Sequence, residues 1–151
     1  MSVLLGTNDL ASLDQSTIDT EAAKYITEKI TMTHDYFKKS NPNGWMFVLS
    51  IPCYYNSRAS NKNLQEGVKN ANNALKEFAD SKEDVLYIDV KASIDYVVKN
   101  NFNNEITNTN LMVQIFDQDF LHFNTSGHII FAKQILTNIG FDYSKSKFMN
   151  F

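Results

Sequence analysis

Apolar residues in this chain follow two alternating patterns: short, nearly unbroken runs, and longer stretches in which every third or fourth position is apolar. Ser2 to Leu5 is a short run that breaks at Gly6-Thr7-Asn8-Asp9, as expected of the last residues of a buried strand and the loop leaving it. Ser16 then offers an N-cap, with Asp19 three residues on. Ile18, Ala22, Ile26 and Ile30 follow at four-residue spacing, with Tyr25 and Phe37 nearby, which predicts a long amphipathic helix. Asn41-Pro42-Asn43-Gly44 stops it. Trp45 to Ile51 is a nearly continuous apolar run of strand length, the pattern of a strand covered on both faces, and Pro52 ends it.

The stretch from Cys53 to Asn63 has no periodicity and reads as a loop. Leu64, Val68, Ala71, Leu75 and Phe78 then share one helical face. Val85 to Val90 repeats the buried-strand pattern, and Ala92 to Val98 reads as a short helix before an Asn-rich loop. Ile129, Ile130, Lys133, Ile135 and Leu136 suit a final helix closed by Gly140. Strand and helix patterns alternate, so the expected class is α/β with a mainly parallel sheet. Ligands of such sheets sit outside the carboxyl ends of the strands. Chemistry is therefore to be sought at Asn8 and Asp9, in the loop from Cys53, and between Asp117 and Asn124.

Composition narrows the partners. With 43% hydrophobic and 13% aromatic residues, residues 1–151 carry enough apolar surface for one folded domain. A net charge of -3, with Arg58 the only arginine, leaves no composition-wide basic character to neutralise a run of phosphates, and nucleic acid is not an expected partner. Cys53 is the only cysteine, so neither an intrachain disulfide nor a cysteine-based zinc site can form. His122 and His128 stand six residues apart, a spacing that does not share a helical face, and no metal is implied. No apolar run approaches the roughly 20 residues that cross a bilayer. Met1-Ser2-Val3-Leu4-Leu5 lacks the basic and apolar regions of a secretory signal.

Two short blocks carry candidate chemistry. Near the start stands Leu4-Leu5-Gly6-Thr7-Asn8-Asp9-Leu10; towards the end stands Asp117-Gln118-Asp119-Phe120-Leu121-His122-Phe123-Asn124, followed by Thr125-Ser126-Gly127-His128. Together, in this order and with two strand–helix units between them, they resemble the SGNH-type (GDSL-type) ester hydrolases. That resemblance implies a three-layer α/β/α sandwich with a mainly parallel, flavodoxin-like sheet, an ester or acetyl-ester substrate, Ser-His-Asp chemistry and no cofactor. The first block matches the family's Gly-x-Asn-Asp, so Asn8 inherits the oxyanion donor. Such a donor acts where charge develops on the carbonyl oxygen, and losing one costs about 10²–10³ in kcat. The second matches Asp-x-x-His. His122 becomes the general base, and Asp119 the residue that fixes its tautomer and stabilises the imidazolium.

The same resemblance exposes a departure. In the family a Gly-Asp-Ser-type block with the nucleophile and a later block with an oxyanion glycine both precede Gly-x-Asn-Asp, yet only five residues precede Gly6 here. No serine is carried over, because Ser2 lies in strand-like sequence without the motif. The expectation is a C-terminal portion of the fold, lacking its N-terminal strands and nearly inert alone, with an open edge at the first strand that invites self-association or a complementary segment. A noncatalytic binding or assembly domain derived from the same fold is the alternative. Tyr54, Tyr55 and Arg58, in the strand-to-helix loop facing the expected site, are candidates for shaping the substrate pocket. Cys53 reads as packing, His34 as a solvated helix residue, and Asp117 as a loop or cap residue.

Overall fold

The protein is described by a computed structural model covering residues 1–3, 6–52, 61–92, 117 and 122–140. Its centre is a parallel sheet built from the apolar runs: β1 (Ser2–Val3), β2 (Met46–Leu49) and β3 (Val85–Ile88), in the order β1-β2-β3. Ser2 pairs with Phe47 and Val3 with Val48, while Met46 to Leu49 run in register with Val85 to Ile88. The Phe47 N–H donates to the Met1 carbonyl at 2.7 Å, and the Met1 ammonium donates to the Trp45 carbonyl at 2.8 Å.

Successive strand residues point to opposite faces, and the packing follows that alternation. Val3, Met46, Val48 and Val85 bury against Ile18, Ile26, Ile30, Leu64, Val68 and Leu75 of two long helices, α2 (Ile18–Ser40) and α3 (Lys62–Asp80). Phe47, Leu49, Leu86 and Ile88 face the other way, where Phe131 and Ile135 of α4 (Thr125–Asn138) pack. Helices thus cover both faces of a parallel sheet, the three-layer α/β/α arrangement that unbroken apolar strands require. On the first face α2 and α3 come into close contact at Gly67, where an added Cβ would lie 3.0 Å from the carbonyl oxygen and Cγ1 of Ile18.

Several boundaries differ from the sequence reading. Ser16 is not the cap of α2. Its N–H and hydroxyl instead bond the Asp14 carboxylate at 2.9 and 2.8 Å, and Thr17 takes the cap position without a side-chain bond, because a local Asx turn satisfies Ser16 before the helix begins. The strands are shorter than the apolar runs, and Trp45 is 56% exposed. Gly6 to Asp9 is not simply a loop, since α1 (Thr7–Ser12) begins immediately after Gly6. His34 is not solvated but 8% exposed, with its ring edge-on to Phe78 at 5.6 Å and its Nε2 3.4 Å from Asp84. Gly140 adopts the expected left-handed conformation, φ 76°, and its N–H donates to the Thr137 carbonyl at 3.1 Å. The short helix expected over Ala92 to Val98 and the Asn-rich loop lie largely or wholly outside the described residues.

Candidate active site

Each of the three strands delivers polar residues at its carboxyl end, and each end is fastened differently. Behind β1, Gly6 is buried with φ 106°, a conformation that L side chains rarely adopt. A Cβ there would also come within 2.5 Å of Ile51 Cδ1, just past β2. Glycine is therefore demanded twice over, and with it the chain turns at once into α1: the Leu10 N–H donates to the Gly6 carbonyl at 2.8 Å. Asn8 then falls in the first turn of α1, with an exposed side chain. Asp9, next to it, accepts the Tyr25 phenol from α2 at 3.3 Å.

At the end of β2 a buried asparagine of α3 grips the backbone. Asn72 accepts the Ile51 N–H at 2.7 Å and returns its amide N–H to the Ile51 carbonyl at 2.9 Å. Between β2 and β3, the fully buried Ser50 hydroxyl donates to Asp89 at 3.1 Å and accepts the Lys91 N–H at 2.8 Å. Asp89 also accepts the Ala92 N–H at 2.9 Å. Tyr87 lies beside this latch. Burial, with the negative charge of Asp89 adding to it, pushes its phenol up to about 12 against a weaker opposing bond from Ser50, so the hydroxyl is a neutral donor across the physiological range. Every buried side-chain nitrogen or oxygen among the described residues has a partner.

On the opposite face, Asn124 caps α4 by accepting the Gly127 N–H at 3.1 Å. The ring of Phe123 meets those of His128 and Phe131 at 5.9 and 5.6 Å. Phe131 in turn packs on the cluster of Leu49, Ile88 and Val90 at the ends of β2 and β3. His122, two residues ahead of the cap, is exposed, and its carbonyl accepts the Asp117 N–H at 2.8 Å. His128 stands exposed in the first turn of α4, its ring edge-on to that of Phe123.

Of the residues singled out from sequence, Asn8 and His122 are therefore described, one leaving β1 and one leading into α4. Asp119, Tyr54, Tyr55, Arg58 and Cys53 lie outside the described residues. Sequence reasoning passed over Ser50, Asn72 and Asp89. Ser50 and Asp89 carried a usable signal, as each is the polar residue at the end of an apolar strand run. Asn72 carried another, sitting one place from Ala71 on the apolar face of α3. Among the described residues no group of three or more His, Cys, Asp or Glu is arranged to hold a metal ion, and no helix is long and apolar enough to cross a membrane.

Residues 1–135 match the sequence profile described as GDSL-like Lipase/Acylhydrolase. The chain belongs to this family. Its match runs from β1 into α4 and takes in both the Gly6-Thr7-Asn8-Asp9 block and the Asp119 to His122 block. Membership in the GDSL-like family gives the chain a hydrolase lineage and agrees with the α/β fold of helices around a parallel sheet. The chain is also similar to a protein of Mycoplasma pneumoniae (strain ATCC 29342 / M129 / Subtype 1) described as an uncharacterized protein, with 26% identity over 152 residues covering 95% of this chain. The chain spans only 17% of that relative's length. No solved structure matches it.

Proposed function

We propose that this GDSL-like domain serves ester hydrolysis, with a short-acyl, acetyl or lipid ester as substrate. In that reaction the acyl group passes to a serine hydroxyl and then to water. Asn8 donates its amide N–H to the carbonyl oxygen as negative charge gathers there, and acts most strongly in the transition state, where that charge is greatest. His122 takes the proton from the attacking oxygen and returns it to the leaving alcohol, while Asp119 holds the imidazole in the required tautomer. The single observation that carries this reading is one continuous family match that contains both blocks in family order. Gly6 supports it, since its positive φ and contact with Ile51 leave α1, and Asn8 with it, little freedom of position.

The chain shows no Gly-Asp-Ser-type block. We therefore propose that on its own it is a poor catalyst, short of a complete triad by about 10⁶ in kcat, the scale set by loss of a nucleophilic serine. What remains is water attack assisted by His122 and Asn8. Turnover of a short-chain chromogenic ester tests this. Weak activity should fall a further ~10²-fold in His122→Ala, the lower end of general-base contributions, and comparably in Asn8→Ala. Turnover indifferent to both substitutions would sink the site, and rapid His122-dependent turnover would show that a nucleophile is present after all.

A second reading has its own observation. Among the described residues β1 forms the edge of the sheet, so an assembly domain that uses this edge to pair with another strand, from a second copy or a complementary segment, is the alternative.

A further inference from the structure

The chain holds fourteen lysines and arginines within an overall charge of -3, yet four of those lysines line a single groove. Lys62, Lys69 and Lys76 recur at seven-residue spacing along α3. Two helical turns separate each from the next, so they stand in file about 10 Å apart along the axis. Lys91, just past β3, faces the same groove, an open depression of about 690 Å³ between α3 and the end of β3. Its remaining charged lining, Glu66 and Asp89, leaves it with a positive balance in an otherwise acidic chain.

The donors suit a guest with several anionic groups. Lysine ammoniums are compact point charges that neutralise phosphate oxygens without the bidentate fork that arginine presents to phosphate and carboxylate alike. Tyr87, on the same wall, adds a hydroxyl that remains protonated. Within the groove wall Lys69 pairs with Glu66 at 2.8 Å and Lys76 with Asp80 at 2.7 Å. Both pairs are solvent-exposed helix-surface pairs of the kind worth little, and they exchange readily for a more highly charged ligand. The groove is open to solvent, and its volume is within the range of small-molecule sites.

We propose that the groove between α3 and β3 binds a small soluble ligand carrying two or more phosphate groups, held by Lys62, Lys69, Lys76 and Lys91. The proposal does not use Asn8, Asp119 or His122 and stands whether or not the chain cleaves esters.

Calorimetric titration of the whole chain with inorganic tripolyphosphate at low ionic strength is the test. Saturable binding is expected, weakened at least about tenfold in Lys62→Gln/Lys69→Gln and further when Lys76→Gln and Lys91→Gln are added, as loss of charge-assisted bonds requires. The control Lys24→Gln/Lys29→Gln/Lys39→Gln, which removes three exposed lysines of α2, should bind as the parent does. Circular dichroism shows whether each variant keeps its helices, and the single exposed substitution Lys69→Gln, expected to weaken binding about threefold, guards against misfolding of the multiple variants. Absence of binding by the parent chain, an equal loss in the α2 control, or capture by phosphatidylglycerol vesicles that tripolyphosphate fails to displace would each overturn the proposal.

Discussion

Gly6 and Gly140 both adopt positive φ, 106° and 76°, but only one of them is hemmed in. Around Gly140 an added Cβ meets nothing within 4 Å, whereas at Gly6 it meets Ile51 at 2.5 Å and Ile26 at 3.0 Å. Gly140→Ala should therefore cost only backbone strain, about 1 kcal/mol. Gly6→Ala adds overpacking to that strain and should cost about 2–4 kcal/mol. Urea denaturation of the two variants measures the difference, and equal losses would show that the approach to Ile51 carries no weight. The glycine was legible in the sequence as the break after an apolar run. Its contact with Ile51 was not, because those residues lie 45 positions apart and only the parallel pairing of β1 with β2 brings the two strand ends together.

Between elements, the joint that sequence reasoning misjudged is the one at His34. The residue continues the series Ile18, Ala22, Ile26, Ile30 at the same four-residue interval, so its burial was written in the periodicity. Its polarity argued for solvent instead. The fold reconciles the two by bringing Asp84, at the start of β3, within 3.4 Å of the imidazole, with Lys38 of α2 on the other carboxylate oxygen. The bond from Lys38, aided by His34 and only partly opposed by burial, lowers the Asp84 carboxyl below its ordinary 3.8. A carboxyl depressed in the folded state adds stability that is complete above that ordinary value and is lost as pH falls through the lowered one. Asp84→Asn should then cost about 1–2 kcal/mol at neutral pH, by stranding the half-buried donors. Its deficit against the parent should begin to shrink as pH falls past 3.8 and vanish only below the lowered folded-state value. A deficit in thermal stability that stays constant across that range would rule out the ionised carboxylate as its cause.

For the whole molecule, β1 is the point of exposure among the described residues. The Phe47 N–H reaches the Met1 carbonyl, and backbone groups alternate in direction along a strand, so the N–H and C=O of Ser2 face away from β2 towards the open edge. Unpaired edge groups template further pairing. Concentration-dependent association is expected by analytical ultracentrifugation, and Ser2→Pro, which removes the outward N–H and leaves the bonds to β2 in place, should weaken it. A chain that stays monomeric at every concentration, or a proline variant that associates equally well, would count against the edge.

The alternation of strand and helix patterns, the parallel sheet, the apolar faces of α2 and α3 and the two family blocks were all determined by the sequence alone. Each depends on periodicity or on residues that are neighbours in the chain, and local order is what a sequence displays. The tertiary structure decided which polar residues share a place: Ser50 with Asp89, Asn72 with the backbone of Ile51, His34 with Asp84, and the lysines of α3 with Lys91. Those partners come from separate strands and helices, so their energies exist only after the sheet has paired and the layers have closed, and no spacing along the chain encodes them.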